Sequence, residues 1–247
     1  MFNWIESHGR TALLGVILAS VLIGASILAG GLVQFKKLEQ SQLGVTGYAE
    51  KQVKSDVAEW SMTVTAFDAN KTSGYNRLNQ DLDTLKKMLM TNGITPKDIH
   101  ENVLYVSTSY KKNYNGYDTA EVNGYNLSKV LTIRTTQIAS IVAIGKKLEG
   151  LIGKGLSIDV AQPQYFYSQL DRLKLELIAQ ATKNAKERAK TMVAVTGDHI
   201  GNLLKASSGV FQITAPNSTE VSDYGQYDTS TIDKKITSVV NVTFAIN

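Results

Sequence analysis

Residues 57–66 read VAEWSMTVTA, and this stretch decides the fold. Ala58, Trp60, Met62, Val64 and Ala66 fall on one side of a two-residue repeat, and Glu59, Ser61, Thr63 and Thr65 on the other. That alternation is the pattern of a β-strand with one buried face. Upstream, Gly44, Val45, Gly47 and Ala49 begin another strand. Downstream, after Asp68-Ala69-Asn70, the repeat lengthens. Tyr75, Leu78, Leu82, Leu85 and Leu89 step by three and four, the stripe of an amphipathic helix, which Asn92-Gly93 ends and Thr95-Pro96 keeps from resuming.

Further out, the spacing predicts strands over 101–111 and 125–135, joined by a long tip rich in Asn, Gly and Tyr. A second helical stripe runs through Ile138, Ile141, Gly145, Leu148 and Ile152 and is closed by Gly153 and Gly155. A fifth strand is expected over 157–167. Ser168 and Asp171, spaced as a capping box, open a long helix with the stripe Leu170, Leu173, Leu177, Ala181, Ala185, Ala189 and Met192, stopped by Gly197. Its alanine half predicts an unusually close neighbour. The last two strands are expected over 203–214 and 235–246, the second with Ile236, Ser238, Val240, Val242, Phe244 and Ile246 on one face. Between them, 215–233 reads as a mobile loop or a second hairpin tip. The order predicts an α+β fold, a two-layer and mainly antiparallel sheet with helices on one face.

Residues 11–35 contain no ionisable side chain, and as a helix they would extend roughly 37 Å, enough to cross a hydrocarbon core of about 30 Å. Arg10 and Lys36-Lys37 bracket them. The organisation expected is a short tail at 1–10, a transmembrane helix at 11–35, a linker at 36–43 and a globular domain at 44–247. A cleaved signal peptide is the alternative, but such a core usually runs about 7–15 residues before a small-x-small site. Within the span Gly15 with Ala19, Ser20 with Gly24, and Ala25 with Ala29 repeat at the small-xxx-small spacing that lets membrane helices approach closely. Abundant Gly and Ala in any membrane helix is the competing explanation. The flanking charges leave open which side of the membrane holds the domain.

The chain has no cysteine, which excludes disulfides, thiolate metal sites and a cysteine nucleophile. A net charge of +4 from 26 basic and 22 acidic residues speaks for solubility more than for nucleic acid. His8, His100 and His199 stand apart from one another, and no HExxH or other zinc spacing occurs. Gly150, Gly153 and Gly155 lack the spacing of a phosphate loop and end a helix. No GxSxG elbow is present, and Ser207-Ser208-Gly209 reads as a strand bulge. No catalytic residue, cofactor site or metal site emerges. The tyrosines are another matter: Tyr110, Tyr114 and Tyr117 crowd the first hairpin, where large, stiff side chains suit a protein interface.

Several of these features together resemble the SIMPL domain family. The opening Gly44-Val45-Thr46-Gly47-Tyr48 followed by Ser55-Asp56 is similar to the family's start, where Pro more often precedes the Asp. Gly93-Ile94 with Asp98-Ile99, Gly124-Tyr125, and above all Ala181, Ala185, Arg188 and Ala189 with Gly197 and Ile200-Gly201 carry the rest. The resemblance implies a periplasmic or surface placement, which resolves the topology of the expected inner-membrane anchor with the N-terminus cytoplasmic and the domain periplasmic, and in some members it implies assembly into ring- or channel-like oligomers. It supplies no catalytic residues, and it associates the family with envelope and oxidative stress without a mechanism. The expected function is a non-catalytic, self-associating scaffold whose partners are further copies of itself and the lipid bilayer. Capture of a ligand or protein at the tyrosine hairpin and an envelope serine hydrolase with a lysine base are the alternatives.

Overall fold

A computed structural model describes residues 20–30 and 41–247. Helix α1 occupies the described residues 20–30, and among the described residues no helix is long and apolar enough to cross a membrane. The expected span at 11–35 lies mostly outside the described residues, as do Gly15 and Ala19. Ser20, Gly24, Ala25 and Ala29 are helical, Gly24 partly buried and the other three exposed.

The remaining elements are β1 (Gln42–Lys54), β2 (Val57–Asp68), α2 (Lys71–Thr91), a 3-10 turn (Pro96–Asp98), β3 (Ile99–Glu101), β4 (Tyr105–Lys112) and β5 (Asp118–Thr135). There follow α3 (Ile138–Ile152), β6 (Ile158–Val160), β7 (Gln164–Phe166), α4 (Leu170–Ala194), β8 (Ile200–Ser208), β9 (Gln212–Thr214), β10 (Gln226–Tyr227) and β11 (Asp233–Ile246). They form an α+β fold with two sheets where the sequence pattern suggests one. One sheet runs β3-β5-β2-β6, with β4 also on β5 and β7 also on β2; the other runs β1-β11-β9-β10, with β8 also on β11. Every pairing whose register is resolved is antiparallel except the short β9–β10 pair.

The chain divides into two compact units. The larger comprises 50–177 and 210–238. Its core is built as the sequence pattern requires: Ala58, Trp60, Met62, Val64 and Ala66 of β2 are buried with Leu78, Leu82, Leu85 and Leu89 of α2 and with Leu127, Leu131 and Ile133 of β5. Asn70 caps α2, its side chain accepting from the amides of Thr72 and Ser73, and Gly93 at φ +94° carries the chain away at the far end. Tyr75, expected on the buried stripe, is half exposed. Gly74 is buried in its place, because a side chain there would strike Leu127 and Asp68.

The smaller unit comprises residues up to 49 together with 178–209 and 239–247. Here Ala181, Ala185 and Ala189 of α4 are fully buried. The close neighbour they anticipate is Gly47 of β1, where a Cβ would overlap the Ala181 carbonyl oxygen and lie 2.7 Å from the Ala185 Cβ. Asn184 accepts the Tyr48 amide at 3.1 Å, and Arg188 donates to the Thr46 carbonyl at 2.7 Å, so the helix holds the strand by polar contacts beside the steric fit.

Several expected boundaries move. Residues 118–124 are strand, not tip, because β5 extends to Asp118. The strand expected at 157–167 is two short ones, interrupted around Pro163, which cannot donate to a ladder. On α3 the buried stripe is Ile141, Ile144, Leu148 and Leu151, with Gly145 and Ile152 exposed; on α4 Val193 is buried and Met192 is not. Ser168 does not form a capping box with Asp171: its hydroxyl goes to Asp56 at 2.6 Å. The irregularities of the β8–β11 pair fall beside Thr243 and Phe244 and not at Ser207–Gly209, so the bulge expected there is absent.

Candidate functional site

Two features of the larger unit stand out. The first is an arm. β2 pairs with β5 only as far as Asp68 opposite Tyr125, so beyond that point β4 and β5 continue as a two-stranded ribbon. A two-stranded ribbon is marginal alone. This one is closed by an Asx turn, in which Asn113 Oδ1 accepts the amides of Asn115 and Tyr117, both at 3.0 Å, with Gly116 at φ +82°. Lys112 pairs with Asp118 at 3.2 Å and Lys111 with Glu121 at 2.5 Å across it. These polar ties leave the apolar groups outward: Tyr114 is fully exposed, Tyr117 is 71% exposed, and Tyr110 and Val122 are more than a third exposed. The three tyrosines expected at an interface are thus brought together on one protruding ribbon.

The second feature is a cleft of about 730 Å³ where the β1–β2 junction meets the N-terminus of α3 and the start of α4. Its walls are mainly apolar, from Val57, Ile138, Val142 and Ile232. Its polar residues are Lys54, Ser55, Asp56 and Ser168. Asp56 takes two hydrogen bonds from Ser168, amide at 2.7 Å and hydroxyl at 2.6 Å. The Ser55 amide donates to the Ile232 carbonyl at 2.8 Å, but its hydroxyl, on a residue only 5% exposed, has no partner. No side chain caps α3 at Gln137. Sequence reasoning missed this cleft because its walls come from four separate stretches of chain, and only the unexplained Ser-Asp pair at 55–56 hinted at it.

A third cluster is structural. Lys234 is 2% exposed, and its ammonium donates to the carbonyls of Asp228 at 2.5 Å and Thr231 at 2.8 Å, with the Asp228 carboxylate 3.8 Å away. Burial lowers the Lys234 pKa from its ordinary value, and the nearby Asp228 opposes that shift. Burial alone would raise the Asp228 carboxyl, but hydrogen bonds from Thr231 and Ser230 and the Lys234 charge hold it at about 2. The ammonium ties the 228–234 loop much as a bound cation would.

His100 and His199 are both exposed, while His8 is outside the described residues. Among the described residues no group of His, Cys, Asp and Glu is arranged to hold a metal.

The chain is similar to several solved structures. They include the de novo designed protein Foldit4, 13% identical over 42% of this chain and 93% of that one, with a TM-score of 0.19. The ligand-free regulatory subunit of aspartate kinase from Thermus thermophilus is 10% identical over 81% of this chain and 88% of that one, with a TM-score of 0.20. An amidase of the hydantoinase/carbamoylase family from Burkholderia multivorans is 10% identical over 49% of this chain and 29% of that one, with a TM-score of 0.24. With TM-scores this low, none of them carries an argument about this chain. No curated protein matches it. One family model does, SIMPL, described as a protein of unknown function (DUF541), and it takes in the cleft, the ribbon and the alanine helix alike. Matched over residues 43–244, the chain belongs to the SIMPL family.

Proposed function

We propose that this SIMPL-domain protein is a non-catalytic scaffold, anchored in the inner membrane by residues 11–35 with its domain in the periplasm, which self-associates into a ring- or channel-like oligomer. A role in envelope or oxidative-stress defence belongs to the same proposal. The observation that carries it is the ribbon: its ion pairs and Asx turn are satisfied internally, while Tyr110, Tyr114 and Tyr117 are left to solvent. Tyrosine gives large contact area at low entropic cost, which suits a repeated interface. Anchoring confines copies to one plane, so contacts too weak for free solution suffice. Small residues on α1 add a second contact between copies.

Light scattering on the detergent-extracted full chain tests this. A multiple of the 26.9 kDa chain mass is expected, falling when Tyr114 and Tyr117 are both replaced by Ser. A monomeric intact chain sinks the proposal. If the double variant keeps its assembly but loses a co-purifying partner, the ribbon is a capture site, the second reading.

A further inference from the structure

The cleft at the β1–β2 junction is independent of self-association, and its chemistry is divided. Apolar side chains, Val57, Ile138, Val142 and Ile232, make up part of its lining. Three further features of the lining favour negative charge. Lys54 is exposed and forms no ion pair among the described residues. The first turn of α3 presents the positive end of a 15-residue helix, with no side-chain cap at Gln137. Its neighbouring amides turn back on themselves, Ile138 to the Thr136 carbonyl and Ser140 and Ile141 to that of Gln137, and the Gln137 amide goes to the Thr135 hydroxyl. The third feature is independent of the helix. The Ser55 hydroxyl is buried without a partner, and a buried donor left unmade costs stability that an acceptor would restore.

Asp56 bounds the charge of any ligand. It lines the same cleft, and although Ser168 occupies both its oxygens, its negative charge remains. One lysine and one helix end against one carboxylate favour a single added negative charge and oppose a dianion. A volume of about 730 Å³ holds a small organic molecule. We propose that this cleft binds a small aliphatic monocarboxylate, with its carboxylate at Lys54, Ser55 and the first turn of α3 and its alkyl chain along Val57, Ile138, Val142 and Ile232.

Calorimetric titration of the full-length chain in detergent, with blank micelles subtracted, tests this with hexanoate as probe. Hexanoate is expected to bind saturably with one site per chain, and hexanol and inorganic phosphate at least about tenfold more weakly. Ala139→Asp places a carboxylate in the first turn of α3, where the helix dipole welcomes it, so the thermal midpoint holds or rises while hexanoate binding is lost. Ser55→Ala removes one donor and weakens hexanoate about fivefold without lowering the midpoint, since the free protein has no bond there to lose. Should Ala139→Asp fail to fold, Lys54→Gln at an exposed, unpaired position replaces it, with the same loss of binding expected. Absence of saturable binding overturns the proposal, as does hexanol or phosphate binding as well as hexanoate. Unchanged hexanoate affinity in the charge variant and in Ser55→Ala overturns it too.

Discussion

At the scale of single residues the Lys234–Asp228 pair shows how a buried charge is tolerated. The alternation of β11 that buries Ile236, Ser238, Val240, Val242 and Phe244 carries back to position 234 and buries a lysine. Its ammonium survives because two carbonyls and a carboxylate receive it. The two groups act oppositely on stability. Burial lowers the Lys234 pKa, so carrying that charge costs the fold something at every pH where the lysine is protonated. Asp228 is held at about 2 against an ordinary 3.8, so the folded state releases its proton more readily than the unfolded chain does. Its stabilisation is therefore complete above about pH 4 and is lost as the pH falls towards about 2. A shift of that size corresponds to about 2 kcal/mol. Urea denaturation of Asp228→Asn should show a deficit of that order near neutral pH that closes as acid protonates the parent carboxylate. A deficit of the same size at every pH would mean that the aspartate acts by shape alone.

At the scale of elements, β1 packs closely on α4, and the sequence announced a close neighbour for the alanine half of the helix without saying which element it is. The alternating Val45, Gly47 and Ala49 and the stripe Ala181, Ala185 and Ala189 are two small-residue surfaces, which only make sense facing a close neighbour. Gly47→Ala puts a methyl group against backbone that cannot move aside, since the nearest atom is the Ala181 carbonyl oxygen. Overpacking of this kind costs typically about 1–3 kcal/mol and here should reach the upper end, read as a lowered urea midpoint. Gly44→Ala, with nothing within 4 Å, is the matched control and should change little. Equal midpoints for the two variants would refute the close fit. Less of α3 was legible: Ile144-Gly145 and Leu151-Ile152 offer an apolar choice at adjacent positions, and it is Ile144 and Leu151 that are buried. The extension of β5 through 118–124 was hidden because DTAEVNG lacks a β-branched run, and its pairing with β4 across the Asx turn supplies what propensity does not. The cleft had no local signature beyond the Ser55-Asp56 pair, being assembled from residues more than a hundred positions apart in the chain, such as Asp56 and Ser168.

For the whole molecule, the proposed anchor and the ribbon would make separable contributions to the proposed assembly, which one comparison resolves. Residues 41–247 contain both sheets and every buried core residue named above, so a chain beginning at 41 should fold with the thermal midpoint of the full protein. It would lack α1 and the uncharged stretch to which it belongs. If contacts between N-terminal helices, which a micelle preserves, supply the effective concentration that the ribbon needs, the shortened chain should be monomeric when dilute. It should associate only as its concentration is raised, and Tyr114→Ser with Tyr117→Ser should abolish that association. The full chain in detergent should stay assembled on dilution. Sedimentation velocity across a concentration series distinguishes the cases. If the shortened chain assembles as tightly as the full one, the ribbon suffices and the small-residue pairs of the N-terminal helix are only a feature of its composition. If the shortened chain never associates at any concentration while the full chain does, the helix is the whole interface, and the exposed tyrosines are left free for another partner.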